Sequence, residues 1–207
     1  MYLPKHFAPD DPDLLLEVMR KYNFATLVSQ VDGAQFATHV PVLARHVDGA
    51  IEISGHVARA NPHWRAWQEA PEALLIFHGP HAYISPTLYA GRNRVPTWNY
   101  IAVHLRGELV PLPSAALEPH LNALSDKFES RLLPKPAWKT SKMSDGVMER
   151  MMRMILPFRL NITAVDGTWK LGQNKPTAAR QGVIAALEAR GPAVAGLAQR
   201  MRDLPEG

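Results

Sequence analysis

The sequence predicts a mainly β protein: an antiparallel β-barrel with helices at its periphery. Three observations predict it. Apolar alternation with a period of two recurs early in the chain and again late. Asp-Gly pairs at Asp32-Gly33, Asp48-Gly49 and Asp166-Gly167 punctuate these runs, and Asp-Gly signals a tight hairpin rather than a parallel crossover. Beyond one N-terminal helix, helical periodicity falls between and after the strands, which sets helices around a sheet.

Taken in order, Asp10, Asp11 and Pro12 form a helix start. Acidic side chains cap free N–H groups, and proline suits the first helical position. Leu15, Val18, Met19 and Tyr22 share one face, and Asn23 ends the helix. "FATLVSQV" turns at Asp32-Gly33 and returns as "QFATHVPVLA"; the second Asp-Gly leads into "AIEISG". Asn61-Pro62 opens a second helix. "ALLIF" and "AYIS" are short strands separated by "HGPH", a turn by composition. "TWNYIAVHLRGELV" is a long strand with Trp98, Tyr100, Ala102 and Leu105 as its apolar face; the phase slips near His104, the signature of a bulge.

From Ser114 the period becomes helical, with Leu117, Leu121, Leu124 and Phe128 on one face. "RLLPKPAWKTSK" is a loop. "DGVMERMMRMIL" is a helix aligning Met148, Met151, Met152 and Ile155, and Pro157 stops it. "FRLNITAV" is a strand, Asp166-Gly167 a turn and "TWKLGQ" the returning strand. Residues 177–202 are helical with a break at Gly191-Pro192. The organisation expected is a barrel domain over residues 1–175, helices inserted at 114–156, and a helical extension at 176–207.

Composition narrows the chemistry. The 207 residues suffice for one substantial core. Charged residues are 20% and the net charge is +4, which permits an anionic ligand without demanding nucleic acid. There is no cysteine, so disulfides, thiolate metal sites and a thiolate nucleophile are excluded. No apolar run approaches the ~20 residues of a membrane span. "MYLPKHFAPDD" lacks the pattern of a secretory signal, so a cytoplasmic protein is expected.

The stretch "GHVARANPHWR", residues 55–65, is the most informative. A strand ends in polar residues just where a capped helix begins. Arg59 stands two residues before Asn61, and a helix start favours anions, so Arg59, Asn61 and backbone amides suit a phosphate. The plainer reading is a capped helix beside a solvated arginine. His78 and His81 in "HGPH" lack a third ligand for zinc and read as a turn with local hydrogen bonds. "VPTWNY" sets Trp98, Asn99 and Tyr100 together, which suits either a planar ring system or ordinary strand packing. The methionines at 148–152 read as adaptable core packing. No catalytic constellation emerges, and no metal site is expected. The pattern suits a binder of a flat, phosphorylated ligand better than a hydrolase.

Several stretches together, "MYLPKHF", "FATLVS", "ATHVPVL", "GHVARANPHW", "IFHGPHAYISP", "VPTWNY" and "WKLGQN", resemble the PaiB-like, FMN-binding negative transcriptional regulators. The similarity runs from Met1 to about Leu187 and leaves out residues 191–207. The resemblance implies the FMN-binding split-barrel fold, related to pyridoxine phosphate oxidase, and a homodimer with flavin at the subunit interface. By motif position the phosphate belongs beside Ser54, Gly55, His56, Arg59 and Asn61. Thr38, His39 and Val40 would run along the isoalloxazine. Trp98 joins the ring-binding candidates, and the segment with Trp169, Lys170 and Gln173 would come from the partner subunit, by analogy with the oxidase. Where the oxidase carries a lysine just after the arginine, this chain has Ala60. The oxidase's substrate-binding arginines and histidine find no match, so pyridoxine phosphate oxidation is not implied.

Three functions compete. The family resemblance implies a transcriptional regulator, yet no recognition helix or helix-turn-helix motif is legible to support DNA binding. A flavin-dependent oxidoreductase or flavin reductase needs only the cofactor and an unidentified substrate. A haem-binding split barrel is the third, since the nine histidines allow an axial ligand without marking one.

Overall fold

The computed structural model describes residues 1–9, 11–89 and 95–204. Six strands form a closed barrel in the order β1-β2-β3-β6-β5-β4. Strand β1 is Phe24–Val31, β2 Ala34–Val47, β3 Ala50–Ala58, β4 Glu72–Ile84, β5 Thr97–Pro111 and β6 Ile155–Lys170. Helix α1 is Pro12–Lys21, α2 His63–Ala66, α3 Leu117–Glu129, α4 Val147–Met152, α5 Thr177–Ala189 and α6 Pro192–Arg202. The antiparallel pairing of β1 with β2 and of β2 with β3 is the one Asp32-Gly33 and Asp48-Gly49 predict; β1 also pairs antiparallel with β4, and β3 with β6.

Local chemistry explains the first hairpins. Asp32 and Gly33 have φ of 51° and 76°, and Asp48 and Gly49 have 48° and 83°. Two successive positive φ values make the turn whose twist matches paired strands, and Asp-Gly is among the few pairs that adopt it cheaply. Asp11 accepts the Asp13 N–H at 2.8 Å, so α1 starts with Pro12 in its first turn; Asp10 lies outside the described residues. Asn23 ends α1 and its amide donates to Val42 O at 2.9 Å, tying the helix end to β2.

The chain divides into two compact units. One contains residues 19–77 and 105–165. Its core alternates along the strands: Ala25 and Leu27 on β1, Val40 and Val42 on β2, Ile53 and Val57 on β3, Phe158 and Leu160 on β6. Gly55 pairs with Phe158 across β3 and β6, and a Cβ there would lie 2.6 Å from the Phe158 ring. The other unit contains residues 1–18, 78–104 and 166–207. There α5 and α6 bury Val183, Leu187, Leu197 and Met201, and the Asn99 amide donates to the Met201 sulfur at 3.5 Å.

Four sequence expectations are corrected. "HGPH" is not a turn but the middle of the continuous strand β4. Burial changes parity there: Ala73, Leu75, Phe77 and Gly79 are buried, then Ala82 and Ile84. Gly79 admits the Ile101 backbone and side chain close by, so strand pairing overrides the turn composition. Asp166-Gly167 is likewise inside β6. The φ of Gly167 is not left-handed; the residue makes room, since a Cβ would sit 2.3 Å from Leu15. The face expected on β5 divides: Ala102 and Leu105 are buried, but Trp98 is 50% exposed and Tyr100 half-buried, while burial runs through Ile101, Val103, Leu105 and Leu109 with no slip at His104. The helix expected over 145–156 spans only Val147–Met152, because pairing with β3 draws Ile155 and Leu156 into β6. Pro157 then lies in a strand, where its carbonyl accepts the Leu112 N–H at 3.0 Å.

At Gly107, a Cβ would lie 2.1 Å from Asn161 O and 3.0 Å from the Ile162 Cα, backbone atoms that no rotamer change can clear. Gly107→Ala should therefore destabilise at the upper end of the roughly 1–3 kcal/mol typical of overpacking. Urea unfolding should show a lower midpoint with an unchanged slope; an unaltered midpoint would mean that β5 and β6 separate there at little cost.

Candidate functional site

The site residues read from the sequence fall into separate groups. The first surrounds His63, a residue the motif reading passed over within its own stretch. His63 is 0% exposed. Its Nε2 bonds Ser29 Oγ and its Nδ1 meets Thr38 Oγ1 at 2.9 Å. Asn61 Nδ2 donates to the same Thr38 oxygen at 3.0 Å, and Asn61 Oδ1 accepts the His63 N–H at 3.0 Å. Asn61 donates to Thr38, and each imidazole nitrogen has a hydroxyl partner, so a neutral ring with one N–H donor and one acceptor nitrogen is satisfied on both sides. Burial pushes the His63 pKa down, which favours that neutral form. Asn61 thus caps the corner, though α2 begins at His63 and Pro62 precedes it.

Arg59 stands beyond this group. Its backbone N–H donates to Met154 O at 2.7 Å, extending the β3–β6 ladder. Its exposed side chain donates from Nε to Arg153 O at 2.9 Å. The guanidinium lines a cleft of about 490 Å³ together with Ser114, Glu118, Glu149 and Arg153. Two guanidinium groups and two carboxylates therefore share that cleft.

Ser54 and His56 lie elsewhere, against α3. His56 Nδ1 is 3.2 Å from His120 Nε2, and Ser54 Oγ is 3.4 Å from His120 Nδ1. Burial, then His56, then Arg45 lower the His120 pKa to about 4; burial lowers that of His56. Gly55 points at Phe158, and Val40 is buried in the same core. His39 faces outward and stacks on exposed Phe24 with ring centroids 6.0 Å apart and planes 26° from parallel.

In the other unit, Trp98 is flanked by His81 and Tyr83, with centroids at 5.5 Å and 6.4 Å. Tyr83 is 44% exposed, so two large rings lie open to solvent on adjacent strands. Trp169 is buried. Lys170 Nζ donates to Thr97 Oγ1 at 2.9 Å. The Gln173 amide closes the turn after β6, accepting from the Leu171 N–H at 2.8 Å and donating to Trp169 O. No group of three or more His, Cys, Asp or Glu residues able to hold a metal is found among the described residues.

Residues 1–164 match the family described as "Putative FMN-binding domain". The chain belongs to this family. It is also 32% identical over 204 residues to the protease synthase and sporulation protein PAI 2 of Bacillus subtilis, covering 98% of this chain and 97% of that protein. The family is therefore the PaiB-like one that the sequence resembles. Among solved structures, a flavocytochrome from Azotobacter vinelandii is similar with a TM-score of 0.57 at 14% identity, over 81% of this chain and 72% of that one. A FAD and heme binding protein from Mycobacterium smegmatis is similar with a TM-score of 0.56 at 18% identity, over 86% and 78%. The fold is the antiparallel split barrel of the FMN-binding type. No helix among the described residues is long and apolar enough to cross a membrane.

Burial of His120, with His56 beside it, makes stability depend on acid. His120 binds its proton less readily when folded than the ~6.5 of a free histidine. Below that value the unfolded chain binds more protons, so stability is full above about pH 6.5 and falls as pH drops toward about 4. His120→Gln should flatten that part of the profile. The check is the urea midpoint at pH 7.5 and pH 5; the same acid loss in both proteins would remove His120 from the account.

Proposed function

We propose that this chain is an FMN-binding protein that works as a homodimer and serves as a negative transcriptional regulator. The observation that carries the flavin reading is the family match, which spans five of the six strands and most of the sixth. Bound FMN supplies one- and two-electron redox chemistry. The residues present suit such a ligand. Arg59 is exposed, spends Nε on a carbonyl, and leaves the terminal nitrogens of its planar fork for phosphate oxygens. Asn61 and Thr38 support it indirectly, by fixing the corner through His63. Phe24 with His39, in the same unit as Arg59, offers exposed flat rings to an isoalloxazine. The segment with Trp169, Lys170 and Gln173 is assigned to the second subunit of the pair.

The regulatory reading draws on the Bacillus subtilis relative, whose name joins protease synthesis and sporulation. A flavin-dependent oxidoreductase is the alternative, supported by the exposed rings and by the open Arg59 cleft. An absorption spectrum of the purified protein tests the cofactor first. Oxidised-flavin bands support the reading, and a Soret band would replace flavin by haem. Gel-shift binding that weakens steeply with salt supports direct DNA contact; no shift at low salt would favour the oxidoreductase.

Two quantitative outcomes follow. Arg59→Ala should weaken FMN roughly tenfold to a hundredfold, the scale of one charge-assisted contact of about 1.5–3 kcal/mol, and leave riboflavin nearly unchanged. Flavin fluorescence titration with circular dichroism reads both; a folded variant that binds FMN as tightly as wild type would make Arg59 a solvated arginine. Sedimentation equilibrium should give a dimer at micromolar concentration, and a stable monomer with full FMN affinity would contradict the two-subunit site.

A further inference from the structure

One apolar concavity takes no part in the flavin reading. It lies between α3, the loop of residues 130–146 and α4, with a volume of about 600 Å³. That falls within the roughly 300–1,000 Å³ of small-molecule sites. Leu121, Leu124 and Phe128 form one wall, and Trp138, Met148 and Met152 face them. Ser125 and Thr140 supply hydroxyls to the lining. Unbranched methionine side chains refit to ligands of different shape, which rigid aliphatic walls do not. The stripe that reads as core packing in the sequence is therefore not closed core: Met151 is 55% exposed. Met152 and Ile155 also line the Arg59 cleft, so the two concavities share a wall but not a chemistry.

Charge at the rim narrows the occupant. The Arg131 guanidinium sits 5.1 Å from the centroid of the Phe128 ring. Lys127 lies close enough to Arg131 and Arg20 that, after burial, both cations lower its pKa. Lys142 belongs to the short turn Thr140–Lys142, beside the lining residues Thr140 and Met143. The nearby carboxylate of Glu129 is already committed, accepting from Lys135 Nζ and from the Trp138 N–H, both at 2.8 Å. An apolar hollow with cations at its edge matches a ligand with an apolar body and one anionic end.

We propose that this pocket binds an amphipathic organic anion, such as an aliphatic carboxylate, with its chain between α3 and α4 and its carboxylate at Arg131 and Lys142. Hydrophobic burial would supply the affinity and the guanidinium the orientation. The site is independent of the flavin.

The test is calorimetric titration of the purified full chain with dodecanoate below its micelle concentration. The expected result is saturable binding, one per chain, with no comparable binding of dodecyltrimethylammonium. Arg131→Gln combined with Lys142→Gln should weaken dodecanoate at least tenfold and leave dodecanol little changed. Met148→Trp, which fills the hollow, should abolish binding, whereas Arg59→Ala should leave it intact. A brominated dodecanoate should quench fluorescence in wild type and quench Trp138→Phe much less, a readout that stands even if Met148→Trp fails to fold. Absence of saturable binding, equal affinity for the cationic amphiphile, or quenching indifferent to Trp138 would each overturn the proposal. So would Met148→Trp turning a dimer into a monomer in sedimentation when wild type binds no dodecanoate, since the surface would then be a contact between copies.

Discussion

His63 has no contact with solvent, and both of its ring nitrogens are engaged. A buried imidazole without partners would cost several kcal/mol of lost hydration, so its place must be prepared by other elements. Ser29 of β1 and Thr38 of β2 prepare it, and Asn61 holds both Thr38 and the His63 backbone. Three separate stretches of the chain thereby fix one corner. Trp67 packs behind it, 6.1 Å from His63 and 5.3 Å from Phe158. The position of Arg59, two residues before Asn61, follows from this arrangement together with the bond from its N–H to Met154 O.

This constraint explains how a polar sequence can end a strand inside a barrel. Asn61 is not a simple helix cap, because its two amide atoms serve a buried network as well. The network is fully connected, which is the condition under which buried polar groups fix a single conformation instead of destabilising it. Arg59 is left outside, exposed and anchored by one bond. The corner thus separates a rigid interior from a solvent-facing cation, an arrangement suited to anion binding without rearrangement of the core.

α3 is held differently. It rests on β3 through the paired imidazoles of His56 and His120 and through Ser54. Its other surface, with Leu121, Leu124 and Phe128, opens onto the methionine-lined hollow. One face of this helix is therefore titratable and the other apolar. The basic residues around it, Arg20, Arg45, Lys127 and Arg131, bias both faces toward neutral or anionic neighbours.

What the sequence determined is local. Asp32-Gly33 and Asp48-Gly49 specify hairpins because their positive φ values are intrinsic to those residues. The α3 face and the α5–α6 break at Gly191-Pro192 are legible for the same reason: period and punctuation act over a few residues. The family motifs carried the fold type, and they located the stretch in which Arg59 lies. Tertiary structure decided the rest. The turn-like "HGPH" became mid-strand because β5 passes close to Gly79, and Asp166-Gly167 stayed extended because Leu15 occupies the space above it. The buried face of β5 was set by which side met the core, a choice alternation alone leaves open when both faces carry large apolar residues. His63 could not be read as the centre of its corner, because its partners lie 25 and 34 residues away and only barrel closure brings them within hydrogen-bonding reach.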